Sequence, residues 1–144
     1  MTTQDLTTAL ANKELVLAAL THNGANEAIA ALDRYYSPEF IRHGDKREYN
    51  LESLKTGLHS LYGGFPDLAR LQFDLVADGD RVAYRWEATG THLGEYMGVR
   101  PTGKPIRASG MVMCRISDGL IVEEWGSWNK VSLLHDLGII PLGR

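Results

Sequence analysis

LQFDLVADGDRVAYRWEA, residues 71–88, is the stretch that decides the fold. Large apolar residues recur at every second position on both sides of Asp78-Gly79-Asp80, which is the period of a strand with one buried face. An Asp-Gly pair between two such runs is a strong signal for a tight hairpin turn. The stretch therefore predicts two antiparallel strands joined at Asp78-Gly79-Asp80.

Strand patterns continue on both sides of this hairpin. Two further strands are predicted at residues 106–116 and 120–128, with Ser117-Asp118-Gly119 as the turn between them. The glycine-punctuated residues 90–103 are expected to form a loop. A short strand is predicted upstream, at residues 39–42. The late part of the chain is thus expected to form an antiparallel meander.

Helical spacing dominates the first part of the chain. Residues 3–31 predict two helices separated at His22-Asn23-Gly24, with Asn26 as the expected cap of the second. A third helix is predicted at residues 51–62 and a last one at residues 131–137, each followed by glycine. Helices placed before an antiparallel meander indicate an α+β fold and exclude a parallel doubly wound sheet.

The predicted sheet needs cover on both faces. No linker, repeat or low-complexity segment interrupts residues 1–144, so a single domain is expected. The late strands carry large residues on both sides, and such a sheet must be covered twice. The helices can cover one side. A second copy of the chain can cover the other, which predicts a homodimer.

Composition narrows the range of partners. The net charge is −3, and its 15 basic and 18 acidic residues are interspersed, so no nucleic-acid partner is expected. No apolar run approaches the roughly 20 residues that span a bilayer, and no signal peptide is recognisable, so no membrane partner is expected. Cys114 is the only cysteine and cannot form an internal disulfide. A cytoplasmic location is the expectation.

Seven short motifs follow one another between residues 13 and 138. They are YSPEFIRH (36–43), FPDL (65–68), GDRVAYRW (79–86), GTHLG (90–94), PTGK (101–104), RISDGLIVEEW (115–125) and LLHDLG (133–138). Each is weak alone, but in this order they resemble the SnoaL-like polyketide cyclase family. This family belongs to the wider fold group of nuclear transport factor 2 and ketosteroid isomerase.

The resemblance implies a fold and a chemistry. It implies a cone-shaped α+β barrel in which helices close a hydrophobic pocket on a strongly curved antiparallel sheet, usually in a dimer and without metal or organic cofactor. The family's cyclases close a ring by intramolecular aldol condensation. We therefore expect a cofactor-independent acid–base enzyme for a hydrophobic, carbonyl-bearing small molecule, catalysing aldol cyclisation, isomerisation or dehydration.

The catalytic candidates are His43, His92 and Asn129. The family's catalytic aspartate falls four residues after the tryptophan of Glu-x-Trp, a position that Asn129 occupies here. An amide is neither a general acid nor a general base, but it can donate to an oxyanion or cap the last helix. His43 is expected to exchange the proton, with His92 beside the enolate. The alternative is a non-catalytic small-molecule-binding protein of the same fold, because Asn129 stands where the family has its catalytic aspartate.

The pocket wall is expected to be mainly aromatic. Its predicted members are Tyr36, Phe40, Leu58, Tyr62, Phe65, Tyr84, Trp86, Met111, Met113 and Trp125. The histidines lack the spacing of metal ligands, so no metal site is expected. An epoxide hydrolase of the same fold group would need two carboxylates around an arginine in the pocket, for which Asp74 and Arg85 are the nearest candidates.

Overall fold

The computed structural model describes residues 2–44 and 46–140. The helices within them are α1 (Thr3–Leu20), α2 (Gly24–Tyr35), α3 (Leu51–Gly64) and α4 (Lys130–Asp136). The strands are β1 (Tyr36–His43), β2 (Glu48–Asn50), β3 (Ala69–Asp78), β4 (Arg81–Thr91), β5 (Pro105–Ser117) and β6 (Leu120–Trp128). None of these helices is long and apolar enough to cross a membrane.

The strands form one six-stranded sheet in the order β2-β1-β6-β5-β4-β3. The α+β class is confirmed, and the predicted hairpin joins β3 to β4. Two details differ from expectation. Strand β1 pairs with β6 in parallel, so the sheet is mixed, and the sheet is curled without closing into a barrel. Pairing between strands so distant in sequence leaves no trace in local periodicity.

Several boundaries shift from the predicted ones. Helix α2 begins at Gly24, so Asn26 lies inside it and not at its cap. Strand β2 was not predicted, because three residues are too few to show a period. Strand β3 contains an irregularity between Phe73 and Val76, where Asp74 adopts a φ of 54°. Such a bulge adds a residue to one strand and bends it.

The two faces of the sheet differ sharply. We call the side that α1–α3 cover the inner face and the opposite side the outer face. Along β4 and β5 the buried side chains all point to the inner face: Val82, Tyr84, Ala88, Ile106, Ala108, Val112, Cys114 and Ile116. Most of these belong to the main core cluster, which includes Val16 and Leu20 of α1. The outer face stays exposed in the single chain.

A second, smaller core cluster lies at one end of the sheet. It contains Phe65, Ile106, Leu133 and Leu137, with Trp128 packed against it. This is the end where β3 and β5 begin and β4 and β6 finish, and we call it the loop end. Helix α4 and the 92–104 loop gather there.

Candidate functional site

Two tryptophans occupy the inner face at the loop end. Strand register places Trp86, Gly110 and Trp128 in one row, and paired positions share a face. A Cβ on Gly110 would lie 2.8 Å from the Trp86 indole and 2.7 Å from Trp128 Cβ, so only glycine leaves room for both. Their ring centroids are 6.3 Å apart, and both side chains remain half-buried. They form an aromatic surface between the two core clusters.

Three buried side-chain nitrogens in the described part of the chain have no hydrogen-bond partner. They are His22 Nδ1, Arg70 Nε and His92 Nε2. Arg70 is near the start of β3, His92 directly follows β4, and the pKa of His22 responds to Arg70. All three therefore belong to the loop end. Buried polar groups without a partner are rare and costly, so each requires an explanation.

His92 presents a donor at this end of the sheet. Its side chain is fully buried, beside the Phe65 ring at 5.6 Å. The backbone N–H of Thr102 donates to Nδ1 over 3.3 Å, so Nδ1 is an acceptor. In a neutral ring the proton then lies on Nε2. The partnerless atom of His92 is thus an N–H donor in apolar surroundings.

Arg70 brings an unpaired positive charge to the same region. Its Nη2 donates to the Tyr84 hydroxyl over 3.4 Å, and its guanidinium lies 5.4 Å from the Trp86 ring centroid. No described carboxylate lies within ion-pair distance of it. Burial, and then the charge of Arg70, lower the pKa of His22 below its usual range. His22 is therefore a neutral imidazole near pH 7.

A second polar group lies further along the inner face. Glu124 is 3% exposed, pairs with Arg42 and accepts from Cys114 Sγ at 3.7 Å. Gly126 makes room for the pair, because a Cβ there would meet the Arg42 guanidinium. Burial, and then the charge of Glu124, raise the pKa of Cys114, which keeps it a neutral thiol. Arg42 thus balances the charge of Glu124.

His43 lies on the outer face, away from the helices. Its Nε2 is 2.6 Å from Glu123 Oε2, and its ring stacks on Trp125 at 5.2 Å between centroids. Trp125 is paired with Met113, which is 37% exposed, and Met111 on the same strand is 66% exposed. The predicted wall residues Met111, Met113 and Trp125 therefore do not line the helix-covered side.

The other predicted wall residues do face the helices. The main core cluster contains Tyr36, Phe40 and Tyr84, and Leu58 and Trp86 pack against it. The second cluster contains Phe65. Tyr62 is half-buried on α3, near Arg70. Asn129 is exposed and caps α4, its Oδ1 accepting from the backbone N–H of Ser132 at 3.1 Å. The structure therefore brings His92 and most of the aromatic wall to the inner face, without His43.

Other candidate features lie elsewhere. Asp74 and Arg85 form an exposed ion pair of 2.6 Å on β3 and β4, outside the helix-covered side. Two open clefts, of about 290 and 540 Å³, lie beside α3 and include neither Arg70 nor Trp86. The described residues contain no group of three or more acidic, histidine or cysteine side chains that could hold a metal ion.

Comparison with known proteins identifies the family. A model of the SnoaL-like polyketide cyclases matches residues 14–137. This chain belongs to that family. Among solved structures, IdmH from Streptomyces antibioticus, a proposed polyketide cyclase, is 30% identical with a TM-score of 0.75, over 88% of this chain and 98% of that one. Among curated proteins, no sequence matches.

Two further structures agree on the fold of this SnoaL-like chain. AclR from Streptomyces galilaeus, a proposed hydroxylase, is 28% identical with a TM-score of 0.83, over 94% of this chain and 86% of that one. A SnoaL-like protein from Jannaschia sp. CCS1 is 19% identical with a TM-score of 0.81, over 93% and 96%. Family membership supports a cyclase- or isomerase-type function in the broad sense, with a small-molecule substrate.

Proposed function

We propose that this SnoaL-like protein is a cofactor-independent acid–base enzyme for a hydrophobic, carbonyl-bearing small molecule. The proposed site is the inner face at the loop end. One observation carries the proposal: His22, Arg70 and His92 each hold a buried nitrogen without a partner at this end. A substrate oxygen or an acidic C–H would give these nitrogens a partner, and Trp86 and Trp128 offer its body an apolar surface.

Each polar group has a distinct role in the proposed reaction. Neutral His22, protonated on Nε2, takes a proton from the carbon next to a carbonyl through Nδ1. The electron pair of that C–H bond becomes an enolate, whose oxygen accepts from the Nε2–H of His92. Return of the proton from His22 to another carbon gives isomerisation. Attack of the enolate carbon on a second carbonyl forms a C–C bond and an alkoxide, and the alkoxide takes the proton back from His22 to give the aldol ring. A positioned base typically contributes about 10²–10⁴-fold in rate.

The proposed base is thus His22 and not His43, the residue expected from the sequence. His43 faces away from the helices, and Glu123 already engages its Nε2. Asn129 keeps its place near the end of β6, but its side-chain oxygen is used in capping α4. The amide group of Asn129 is therefore a secondary candidate for contact with the substrate.

Deuterium uptake by simple ketones tests the proposed chemistry. α-Tetralone and 2-acetylnaphthalene, incubated with the protein in D₂O, are expected to exchange their α-protons faster than in buffer. His22→Gln should lower this rate about 10²–10⁴-fold, whereas the exposed control His59→Gln should leave it unchanged. His43→Gln separates the two candidate bases. Unchanged exchange in His22→Gln, or loss in His43→Gln alone, would contradict the proposal.

Binding titrations with the same two ketones address the alternative function. Saturable binding of these ketones without any α-proton exchange would indicate a non-catalytic binding protein. Asn129 supports this alternative, because it caps α4 and puts an amide where the family has its catalytic acid. Rates and affinities are therefore to be measured on the same samples.

A homodimer through the outer face is also proposed. Leu71, Val76 and Met111 are exposed there at 63%, 64% and 66%. Large apolar side chains exposed on one face of a sheet are typical of an interface between subunits. A cytoplasmic location stays a prediction from the sequence.

A further inference from the structure

Arg70 differs from the other inner-face arginine. Arg42 also points to the helices, and Glu124 balances its charge directly. Within residues 2–44 and 46–140, the side chain of Arg70 donates a hydrogen bond to the Tyr84 hydroxyl, lies beside the Trp86 ring and forms no ion pair. Arg70 is partly exposed, but its Nε is buried, and leaving a buried donor of a charged group without a partner is costly. The described residues supply a counter-ion to Arg42 and not to Arg70.

The side chains nearest to Arg70 are neutral, and the carboxylates of Glu27 and Glu124, which act on His22 and on Tyr84, form no ion pair with it. The charge of Arg70 helps to lower the pKa of His22 and opposes the rise that burial causes in the pKa of Tyr62. His22 is therefore uncharged near pH 7, and the neighbouring groups Tyr62, Tyr84 and Trp86 carry no negative charge there. A positive field persists at this place and favours an anion.

The guanidinium of Arg70 retains a donor that a ligand can use. With Nη2 directed at Tyr84, the partnerless Nε is the remaining donor that is buried. Arginine binds carboxylates through two parallel N–H groups, and these charge-assisted bonds are about twice as strong as neutral ones. The single oxygen of a phenol or ketone accepts from one of these N–H groups, whereas the two oxygens of a carboxylate accept from both.

We propose that Arg70 is an anion subsite, and that the natural substrate is a hydrophobic acid whose carboxylate pairs with this guanidinium. The proposal rests on the proposed function and narrows its substrate class. The apolar body of the acid then lies along Trp86, with its reactive carbonyl toward His92. Neutral ketones of the same size bind more weakly, because they leave Arg70 unpaired.

Matched acids and amides test the subsite. Benzoate, 2-naphthoate and anthracene-2-carboxylate are titrated calorimetrically beside their primary amides, at low and high salt. At least one acid should bind about tenfold more tightly than its amide. Arg70→Gln should weaken that acid about 10–100-fold and change the amide less than about threefold, as expected for hydrogen bonds to a charged group. Arg70→Lys should fall between, since it keeps the charge and loses the fork.

Arg85→Gln is the control variant. It removes the same charge from the neighbouring strand, but on the outer face, where Arg85 pairs with Asp74. It should leave all affinities unchanged, and circular dichroism should show both glutamine variants folded. Equal affinity for acid and amide, equal losses in the two glutamine variants, or no binding of any acid would overturn the subsite.

The outcome is separable from that of the proposed function. Preference for acids without α-proton exchange would uphold the Arg70 subsite and contradict the enzyme. If the protein catalysed α-proton exchange of neutral ketones but did not prefer acids, the enzyme would be upheld and the Arg70 subsite contradicted.

Discussion

Adjacent glutamates on β6 face opposite sides of the sheet. Glu124 is 3% exposed and pairs with Arg42 on the inner face. Glu123 is on the outer face and contacts His43 and Arg115, whose side chains are about one-third exposed. Burial makes the first pair sensitive to loss of one partner, whereas solvent screens the second. The two residues are therefore natural controls for each other.

Neutralising Glu124 should destabilise the protein far more than neutralising Glu123. Glu124→Gln leaves the partly buried guanidinium of Arg42, which is 19% exposed, without a counter-ion, and the cost should approach the roughly 3–5 kcal/mol of a buried pair. Glu123→Gln removes a screened contact and should cost less than about 1 kcal/mol. Urea unfolding of both variants measures the difference. Similar losses in the two would show that the inner pair is not shielded from solvent.

His22 gives stability a defined pH dependence. Its folded pKa lies below its unfolded value of about 6.5, mainly through burial. The unfolded chain then binds the proton more readily, so this contribution is complete above about pH 6.5 and is lost as the pH falls toward the folded pKa. The free energy of unfolding should decrease from pH 7 to pH 5. His22→Gln should flatten this segment; an equal slope in the variant would contradict the assignment.

Among the elements, β4 and β1 follow regular alternation, whereas β6 does not. Unbroken alternation on β4 correctly placed Tyr84 and Trp86 on one face. Register shifts interrupt the β1–β6 pair between Tyr36 and Ile41, and the β5–β6 pair at Arg115. A shift of one residue turns every later side chain to the other face. Trp125 therefore lies outside although Ile121, four residues earlier, is in the core. On β1, Tyr36, Phe40 and Arg42 face the helices, so regular alternation places His43 outside, against the prediction drawn from the family resemblance.

The residues of the candidate site were missed for a related reason. Arg70 precedes the alternating stretch from which β3 was predicted, and its face depends on a bulge at Asp74. His22 was interpreted as part of a helix break. Its proximity to Arg70 follows from how α1 packs on β3, which is a long-range contact. Local patterns carry no information about such contacts.

The cap of α4 can be tested separately from catalysis. Asn129→Ala removes the side-chain oxygen that accepts from Ser132, and should cost about 0.5–2 kcal/mol in thermal or urea unfolding. Asn129→Asp retains an equally good cap and should be close to neutral. If Asn129→Ala left stability unchanged but abolished ketone exchange, its role would be in the site and not in the cap.

Two glycines near α3 should respond oppositely to alanine. A Cβ on Gly94 would lie 1.9 Å from the backbone oxygen of Gly63, so Gly94→Ala must displace the 92–104 loop from the end of α3. Gly57 lies inside α3 with open space around it, and alanine there should stabilise by about 0.5–1 kcal/mol. Unfolding curves give the sign of both effects. A neutral Gly94→Ala would contradict the close packing of the loop.

For the whole molecule, the proposed homodimer depends on the exposed apolar residues of the outer face, Leu71, Val76 and Met111. Light scattering at micromolar concentration should give twice the chain mass of 16.0 kDa. Met111→Glu places a charge on this face and should shift the protein to the monomer. Leu6→Glu changes an equally apolar, 57% exposed residue on α1 and should not. A monomeric native protein would contradict the proposed dimer.

We propose that this SnoaL-like protein holds its substrate on the inner face at the loop end. Nitrogen-15 spectra of the histidine rings, recorded during titration with 2-acetylnaphthalene, test this placement directly. The signals of His22 and His92 are expected to shift with one common dissociation constant while those of His43 stay fixed. Shifts confined to His43, or none at His22 and His92 under saturation, would contradict it.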